Sequence, residues 1–196
     1  LGVFGVALNT GTGAAGTTVS VTGVGFTPKA VLMFAGSRTE TTDAQGTGDV
    51  NRSLGFAGNT SGGILNRVIA SHMQNAVVQP GQNEDQRNQN NYCIMRITGT
   101  GAVDGAAHVS AFTSDGCTLT IDTVFSASVR VILIFFGGSD ITDVAIGTLT
   151  GPIVGTPPFT QDITGLGFTP VDGTSIGFLL EPSCLLYTSD AADDLT

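Results

Sequence analysis

Several stretches of this chain alternate between apolar and polar residues with a period of two, and others are short apolar runs. Alternation of this kind places successive side chains on opposite faces of a β-strand. The pair Asp115-Gly116 separates two alternating runs and therefore predicts a β-hairpin. The stretches predicted to form strands or hairpins are KAVLMFAG (29–36), RSLGFAG (52–58), YCIMRIT (92–98), GAAHVSAFTSDGCTLTID (105–122) and SVRVILIFFGG (128–138), the last as the central buried strand.

Two further stretches are less regular. GILNRVIASHM (63–73) fits a helix through Ile64, Leu65, Val68 and Ile69, but it also fits a strand, which its glycine-rich flank favours. QPGQNEDQRNQNN (79–91) has no apolar residue beyond its proline, so we expect a solvated, partly disordered loop.

Short strands at this spacing, about eight to ten in the first 141 residues, are typical of two-sheet sandwiches. A chain of 196 residues with 28 glycines and 12% charged residues is long enough to bury a core of this kind. The sequence therefore predicts an all-β protein: an antiparallel two-sheet sandwich of jelly-roll-like form.

One phrase occurs twice, as TGVGFTP (22–28) and as TGLGFTP (164–170). The distance of 142 residues between the two copies is far longer than the repeat of a solenoid, which is about 20–50 residues. We interpret it as a domain duplication. Residues 1–141 are then a complete β-sandwich module, and residues 142–183 are the truncated start of a second one, which we expect to lack its own core.

The phrase has a mechanical interpretation. Gly23 and Gly25 are expected to bend the chain at a strand end, Phe26 to fill the core below, and Pro28 to lead into the next strand. The alternative is a ligand-binding loop in which Phe26 is a contact residue. The structural interpretation is the one we favour.

Charge excludes some classes of partner. The net charge is −9 and the chain has only seven Lys and Arg residues, so phosphate neutralisation on a nucleic acid is not expected, nor is binding to an anionic membrane surface. No apolar run approaches the length of about 18 residues that a membrane-spanning helix needs.

The candidate chemistry is sparse. GTGAAG (11–16) matches a dinucleotide-binding pattern, but a β-branched run follows it where a helix is needed, which favours a glycine loop between strands. His72 and His108 have no neighbouring ligand at metal-binding spacing. We therefore predict no catalytic, cofactor-binding or metal-binding residues, and no cofactor.

The cysteines and carboxylates also give no indication of a catalytic or metal-binding site. Cys93 and Cys117 are expected to be buried in strands, with a disulfide between them as the alternative. A Ca²⁺ site in the loop 42–51, which includes Asp43 and Asp49, is a weaker alternative to a plain turn. Asp104 has the small neighbours of a turn residue, and Glu84 and Asp85 are expected to be solvated.

The last residues differ from the rest of the chain. CLLYTSDAADD (Cys184–Asp194) resembles the conceptual translation of a transposase sequencing adapter. We therefore expect residues 184–196 to be a non-native tail; an acidic disordered tail is the alternative.

Two phrases carry a family resemblance: VTGVGFTP (21–28), and the run from SAFTSDGCTLTI to VRVILIFFGGSDITDVAIGTLTGP (110–152). The chain resembles uncharacterised virion-associated β-sandwich proteins of tailed phages and prophages, in the tail, fibre or capsid. The resemblance implies a non-enzymatic structural or host-surface-contact module located in the virion. Its implied partners are other virion proteins or host-surface glycans, and a homo-oligomer is compatible with it.

Two other functions stay open at this point. One is a carbohydrate-binding or adhesin domain that is extracellular or on a cell surface. The other is an enzyme such as a polysaccharide depolymerase, which the absence of Trp from the chain disfavours.

Overall fold

The computed structural model describes residues 2–8, 14–36, 49–73, 84–139, 141, 143–147 and 164–169. These residues form ten β-strands and no helix. The strands are β1 (Gly2–Leu8), β2 (Thr18–Val21), β3 (Pro28–Gly36), β4 (Val50–Thr60), β5 (Gly63–Met73), β6 (Glu84–Gln89), β7 (Ile94–Ile97), β8 (Val103–Thr113), β9 (Gly116–Thr123) and β10 (Val129–Gly137).

The strands form two sheets, and every neighbouring pair is antiparallel. The six-stranded sheet has the order β1-β10-β3-β4-β5-β6, and the four-stranded sheet has the order β2-β9-β8-β7. Strands β3 to β6 form one meander and β7 to β9 form another. The chain passes between sheets on either side of β2, between β6 and β7, and between β9 and β10. The predicted all-β, antiparallel two-sheet sandwich is confirmed.

The core lies between the two sheets because one face of each strand is apolar. On β10, Val129, Val131, Leu133 and Phe135 are all buried. Each such side chain stabilises the fold by about 1.5–3 kcal/mol through removal from water. The facing residues of the other sheet and the inner face of β3 complete the cluster, with Val31, Met33, Ile94, Val109, Cys117 and Leu119 among its members.

The outer face of β10 differs from the sequence prediction. The strand was expected to be buried on both sides, yet Ile132 is 47% exposed. The reason is topological: β10 is covered on one face by the four-stranded sheet, so that alternate residues point away from the core. In the same sheet, residues 63–73 form the strand β5, which resolves the ambiguity between helix and strand there.

Residues 84–89 are a correction to the sequence analysis. They were expected to be part of a solvated loop but form β6, which pairs with β5 from Val68↔Gln89 to Met73↔Glu84. Backbone groups make these hydrogen bonds, so an edge strand does not need apolar side chains. Arg87 adds a bond from Nη1 to the carbonyl of Gly101, 2.9 Å away, in the turn between β7 and β8.

The two sheets approach closely at β4 and β7. A Cβ on Gly55 would overlap the backbone of Cys93, so only glycine fits at this position. Beside it, Ser53 Oγ accepts a hydrogen bond from Met95 N at 3.2 Å, and Asn51 Oδ1 accepts one from Ile97 N at 3.2 Å. Polar side chains of one sheet thus satisfy the free backbone edge of the other.

The ten strands all fall within the predicted first module, residues 1–141. Of the predicted second module, the structure describes 143–147 and 164–169; the predicted tail, 184–196, lies outside the described residues. The division into modules therefore stays a prediction. Across the described part of the chain there is no helix long and apolar enough to cross a membrane.

Candidate functional site

The first copy of the repeated phrase binds a carboxylate. Asp115 Oδ1 accepts a hydrogen bond from Gly25 N at 2.6 Å, and Oδ2 accepts one from Gly23 N at 2.8 Å. Val24 N donates to the backbone carbonyl of Asp115 at 3.1 Å. Three consecutive amides therefore converge on one residue of the hairpin between β8 and β9, at a distance of about 90 residues along the chain.

Positive φ angles make this convergence possible. Gly23 has φ 89° and Gly25 has φ 80°, values that favour glycine because it has no Cβ. The amides of Gly25 and Gly23 hold the pKa of Asp115 below its usual value, since hydrogen bonds to the ionised form favour it. We name residues 22–27 together with the Asp115 carboxylate the carboxylate loop.

The mechanical role predicted for the phrase is confirmed around this loop. Val24 is buried, Phe26 packs against the main core, and Pro28 is the buried first residue of β3. What the sequence analysis missed is Asp115, which it treated only as a turn residue. The two-residue turn is Ser114-Asp115, since Thr113 pairs with Gly116, one position earlier than predicted.

The second copy has the same backbone signature. Gly165 has φ 76° and Gly167 has φ 79°, and the bend falls at the same two positions, 167 and 168, as at 25 and 26 in the first copy. Leu166 stands where Val24 is buried but is itself half-exposed. We name residues 164–169 the second loop.

The second loop borders a cavity of about 390 Å³ against the six-stranded sheet. Other walls come from residues 143–146, which include Asp143, and from the end of β4 with the first residue after it, Asn59–Ser61; Lys29 of β3 also lines the cavity. The segment lies close to the sheet, because a Cβ on Gly58 would be 2.7 Å from Ile146 Cδ1 and 3.3 Å from Val144 Cγ2.

The outer face of the six-stranded sheet carries an apolar row across four strands. Ile132 is paired with Phe34, Phe34 with Leu54, and Leu54 with Ile69, so that all four side chains lie on one face. Ile132 is 47% exposed and Phe34 is 38% exposed. We name these four residues the outer apolar row.

A polar groove lies where β5 of one sheet faces β8 and β9 of the other. Its volume is about 500 Å³, and its lining is Ile64, Leu65, Asn66, Arg67, Asn90, Asn91, His108 and Asp122. His108 Nδ1 lies 2.9 Å from Asp122 Oδ1 and 2.8 Å from Oδ2, which orients the imidazole ring. Arg67 Nη1 donates to the carbonyls of Asn66 at 2.7 Å and Asn90 at 2.9 Å.

The candidate residues of the sequence analysis lie in several different places. His72 and His108 are on separate strands; His72 is buried, with Nε2 3.8 Å from Asp49 Oδ2. Asp104 was interpreted as a turn residue, but it is in β8 and forms an ion pair with Arg96 Nε at 3.3 Å. Within the described ranges, no group of three or more His, Cys, Asp or Glu has metal-binding geometry.

Cys93 and Cys117 are buried and unpaired, as the preferred interpretation predicted. Burial raises the pKa of both thiols, that of Cys117 to about 12. Because both cysteines are free, the disulfide alternative is wrong in this structure.

The structure describes only parts of the two loops, 11–16 and 42–51, that the sequence analysis considered as ligand sites. Residues 14–16 of the glycine loop are followed by a strand, β2, instead of a helix, so the non-nucleotide interpretation holds there; residues 11–13 lie outside the described residues. Residues 42–48 of the loop considered for Ca²⁺, which include Asp43, also lie outside the described residues.

The sequence analysis missed the inward-facing polar residues. Asn66 lies at the same inward phase of β5 as Ile64 and Val68, which pack in the core. The available signal was a polar residue at a position of the strand where the alternation predicts a buried apolar one. A buried polar side chain needs a hydrogen-bond partner, which here lies in the other sheet. The His108–Asp122 pair had no local signal because its partners are on different strands.

No protein-family model matches this chain, and comparisons with curated proteins and with solved structures gave no match either.

Proposed function

We propose that this chain is a non-enzymatic structural module that packs against a neighbouring protein through the outer face of its six-stranded sheet. The observation that carries the proposal is the outer apolar row. Its exposed part is Ile132 and Phe34, since Leu54 is only 7% exposed; adjoining exposed apolar side chains on a sheet face are costly in water and are typical of a surface that another protein covers. The next row of the same face consists of Ile134, Leu32, Phe56 and Arg67, in which Leu32 is buried.

The setting we propose for this packing is the particle of a tailed phage. The sequence likeness in residues 21–28 and 110–152 supports that setting, and the partners are then other virion proteins. The low charge density of 12% suits a packed assembly, since few ionised groups need to be removed from water when two such surfaces meet.

Labelling of purified particles tests the setting. An antibody against the chain is applied to particles of a phage that carries the gene, and bound gold is imaged by electron microscopy. We expect label at one reproducible position on each particle. Particles that contain no chain by mass spectrometry would overturn the virion setting.

The packing itself has a separate test. Ile132→Lys places a charge at the exposed end of the outer apolar row, whereas Ser20→Lys adds the same charge at an exposed position of β2. We expect Ile132→Lys to prevent incorporation of the chain into particles and Ser20→Lys to allow it. Equal incorporation would contradict the proposed surface.

A second candidate function, glycan binding, is favoured by the polar groove. Amide, guanidinium, imidazole and carboxylate groups from Asn90, Asn91, Arg67, His108 and Asp122 line one cavity. Such groups donate to and accept from sugar hydroxyls, and Ile64 and Leu65 add an apolar wall.

A glycan array distinguishes this candidate. We expect binding by the unchanged chain, and at least tenfold weaker binding by Asp122→Asn, because one charge-assisted bond contributes about 1.5–3 kcal/mol. Ser20→Lys is the control and retains binding. No signal on any glycan would remove the candidate.

A further inference from the structure

We propose that the second loop is a carboxylate-binding site for an aspartate at the tip of a β-hairpin from another module. The juxtaposition that supports this is the pair of positive-φ glycines, Gly165 and Gly167, beside a cavity that Lys29 also lines. The site is distinct from the outer apolar row and from the polar groove.

The first copy shows what this backbone binds. There, the sequence Thr-Gly-Val-Gly-Phe-Thr holds the Asp115 carboxylate through the amides of Gly23 and Gly25 at 2.8 and 2.6 Å. Amides that converge in this way act as a fixed positive partial charge, and bonds to an ionised acceptor are about twice as strong as neutral ones.

The second copy repeats the features that create the site. Thr-Gly-Leu-Gly-Phe-Thr differs from the first copy only in having Leu166 where the first copy has Val24. Both amides that would donate to a carboxylate still belong to glycines, Gly165 and Gly167. The φ angles agree within 13° at Gly23 and Gly165 (89° and 76°) and within 1° at Gly25 and Gly167 (80° and 79°). The same donors are therefore presented with nearly the same backbone.

The cavity beside the second loop carries a positive charge, which favours a carboxylate ligand. Lys29 lines the cavity beside the loop, and its ammonium attracts an anion. Asn59, Thr60 and Ser61 supply further polar groups. Asp143 also lines the cavity and is the one carboxylate among the described lining residues, so it is the internal competitor that the experiment must address.

The first copy also defines the shape of the ligand. Asp115 is followed by Gly116, at which a Cβ would overlap the carbonyl of Val21. The hairpin tip therefore lies directly against the strand before the loop, and only a glycine after the aspartate allows that approach. We infer that the second loop accepts an Asp-Gly hairpin, which is the element that a β8–β9 pair of a similar module provides.

This inference deepens the proposed packing function by naming a contact between modules, and it rests on that function only for its biological setting. The second loop is a site that Ile132→Lys does not touch. If Ile132→Lys does not affect incorporation into particles, the proposed packing surface is contradicted. If the peptide does not bind the second loop, only the present inference is contradicted.

The experiment is a titration of the full chain, labelled with ¹⁵N-glycine, by a cyclised peptide of residues 110–120 that carries Cys117→Ser. We expect a saturable downfield shift of the Gly165 and Gly167 amide protons. The Gly23 and Gly25 signals should not move, because Asp115 already accepts from those amides. The matched peptide with Asp115→Asn should bind at least tenfold more weakly.

Two protein variants complete the test. Gly167→Ala requires an alanine at φ 79° and meets no atom within 4 Å, so it should abolish binding through backbone conformation alone. Gly147→Ala also has open space around it and lies outside the loop; it should bind like the unchanged chain.

Three outcomes would overturn the proposal. The first is an absence of any shift at Gly165 and Gly167 at the highest peptide concentration. The second is equal affinity for the aspartate and asparagine peptides. The third is a shift of both glycine signals on Asp143→Asn without peptide, which would show that the loop holds the carboxylate of Asp143.

Discussion

Asn66 binds both backbone groups of Val109 with its side-chain amide. Oδ1 accepts from Val109 N at 2.9 Å, and Nδ2 donates to Val109 O at 3.2 Å. Asn66 is on β5 of the six-stranded sheet and Val109 is on β8 of the four-stranded sheet. The side chain thus pairs with the edge of β8 at a point that β7, which begins at Ile94, does not reach.

Asn66→Ala should destabilise the protein, because two buried backbone groups of Val109 lose their partner. We expect the free energy of unfolding to fall by about 2–4 kcal/mol, as each unsatisfied buried group costs about 1–3 kcal/mol. Urea unfolding followed by circular dichroism measures the change. Asn88→Ala, at an exposed position of β6, is the control; a similar loss in both variants would contradict the cross-sheet role.

Gly55→Ala should be far more damaging than Gly36→Ala. A Cβ at Gly55 overlaps the Cys93 backbone, whereas a Cβ at Gly36 meets nothing within 4 Å. Separation of the sheets at Gly55 should cost about 3 kcal/mol or more, and Gly36→Ala should stay within about 0.5 kcal/mol of the unchanged chain. Thermal unfolding compares the two. Equal midpoints would mean that the sheets do not approach as described.

Asp115→Asn should remove part of the acid sensitivity of the fold. The pKa of Asp115 is lowered from 3.8 in the folded protein, so its ionised form stabilises the fold fully above pH 3.8. That stabilisation is lost as the pH falls from 3.8 through the folded pKa. Unfolding curves at several pH values should show the unchanged chain as the more stable at pH 6.

The stability difference between the two proteins should shrink as the pH falls below 3.8. Asp49→Asn is a useful comparison because its side chain is 53% exposed and lies near His72, away from the glycine amides. A difference that is independent of pH would contradict the role of the ionised carboxylate.

The thiols of Cys93 and Cys117 should not react in the native state. Both are buried, and the raised pKa values leave almost no thiolate at pH 8. In a Cys184→Ser background, Ellman's reagent should detect no thiol in the native protein and two in guanidinium chloride. Fewer than two after unfolding without a reductant would indicate a disulfide.

The outer apolar row should promote self-association at high concentration in the purified chain. Sedimentation velocity over a concentration series should show larger species for the unchanged chain and for Ser20→Lys, and fewer for Ile132→Lys, because a Lys in the row must be desolvated on contact. Identical profiles for all three would mean that the row does not mediate contact between copies.

The sequence by itself determined the class of fold and much of its local detail. Alternation with a period of two specified the hairpin at 105–122, since successive residues of a strand point to opposite faces, and short apolar-rich runs specified the strands at 29–36 and 52–58. Glycine at 23 and 25 specified the bend, because positive φ is a local property of the residue. Burial of Cys93 and Cys117 also followed from the alternating and apolar runs in which they occur, although Cys93 lies one residue before β7.

Only the tertiary structure decided the relationships between distant residues. Residues 84–89 form a strand because the edge of β5 supplies backbone partners, which no side-chain pattern encodes. Asp115 meets the amides of Gly23 and Gly25, and Asn66 meets Val109, because the sandwich brings together positions 43 to 92 residues apart. Side-chain periodicity reports which face of a strand is buried, whereas the identity of the group across the core depends on the strand order.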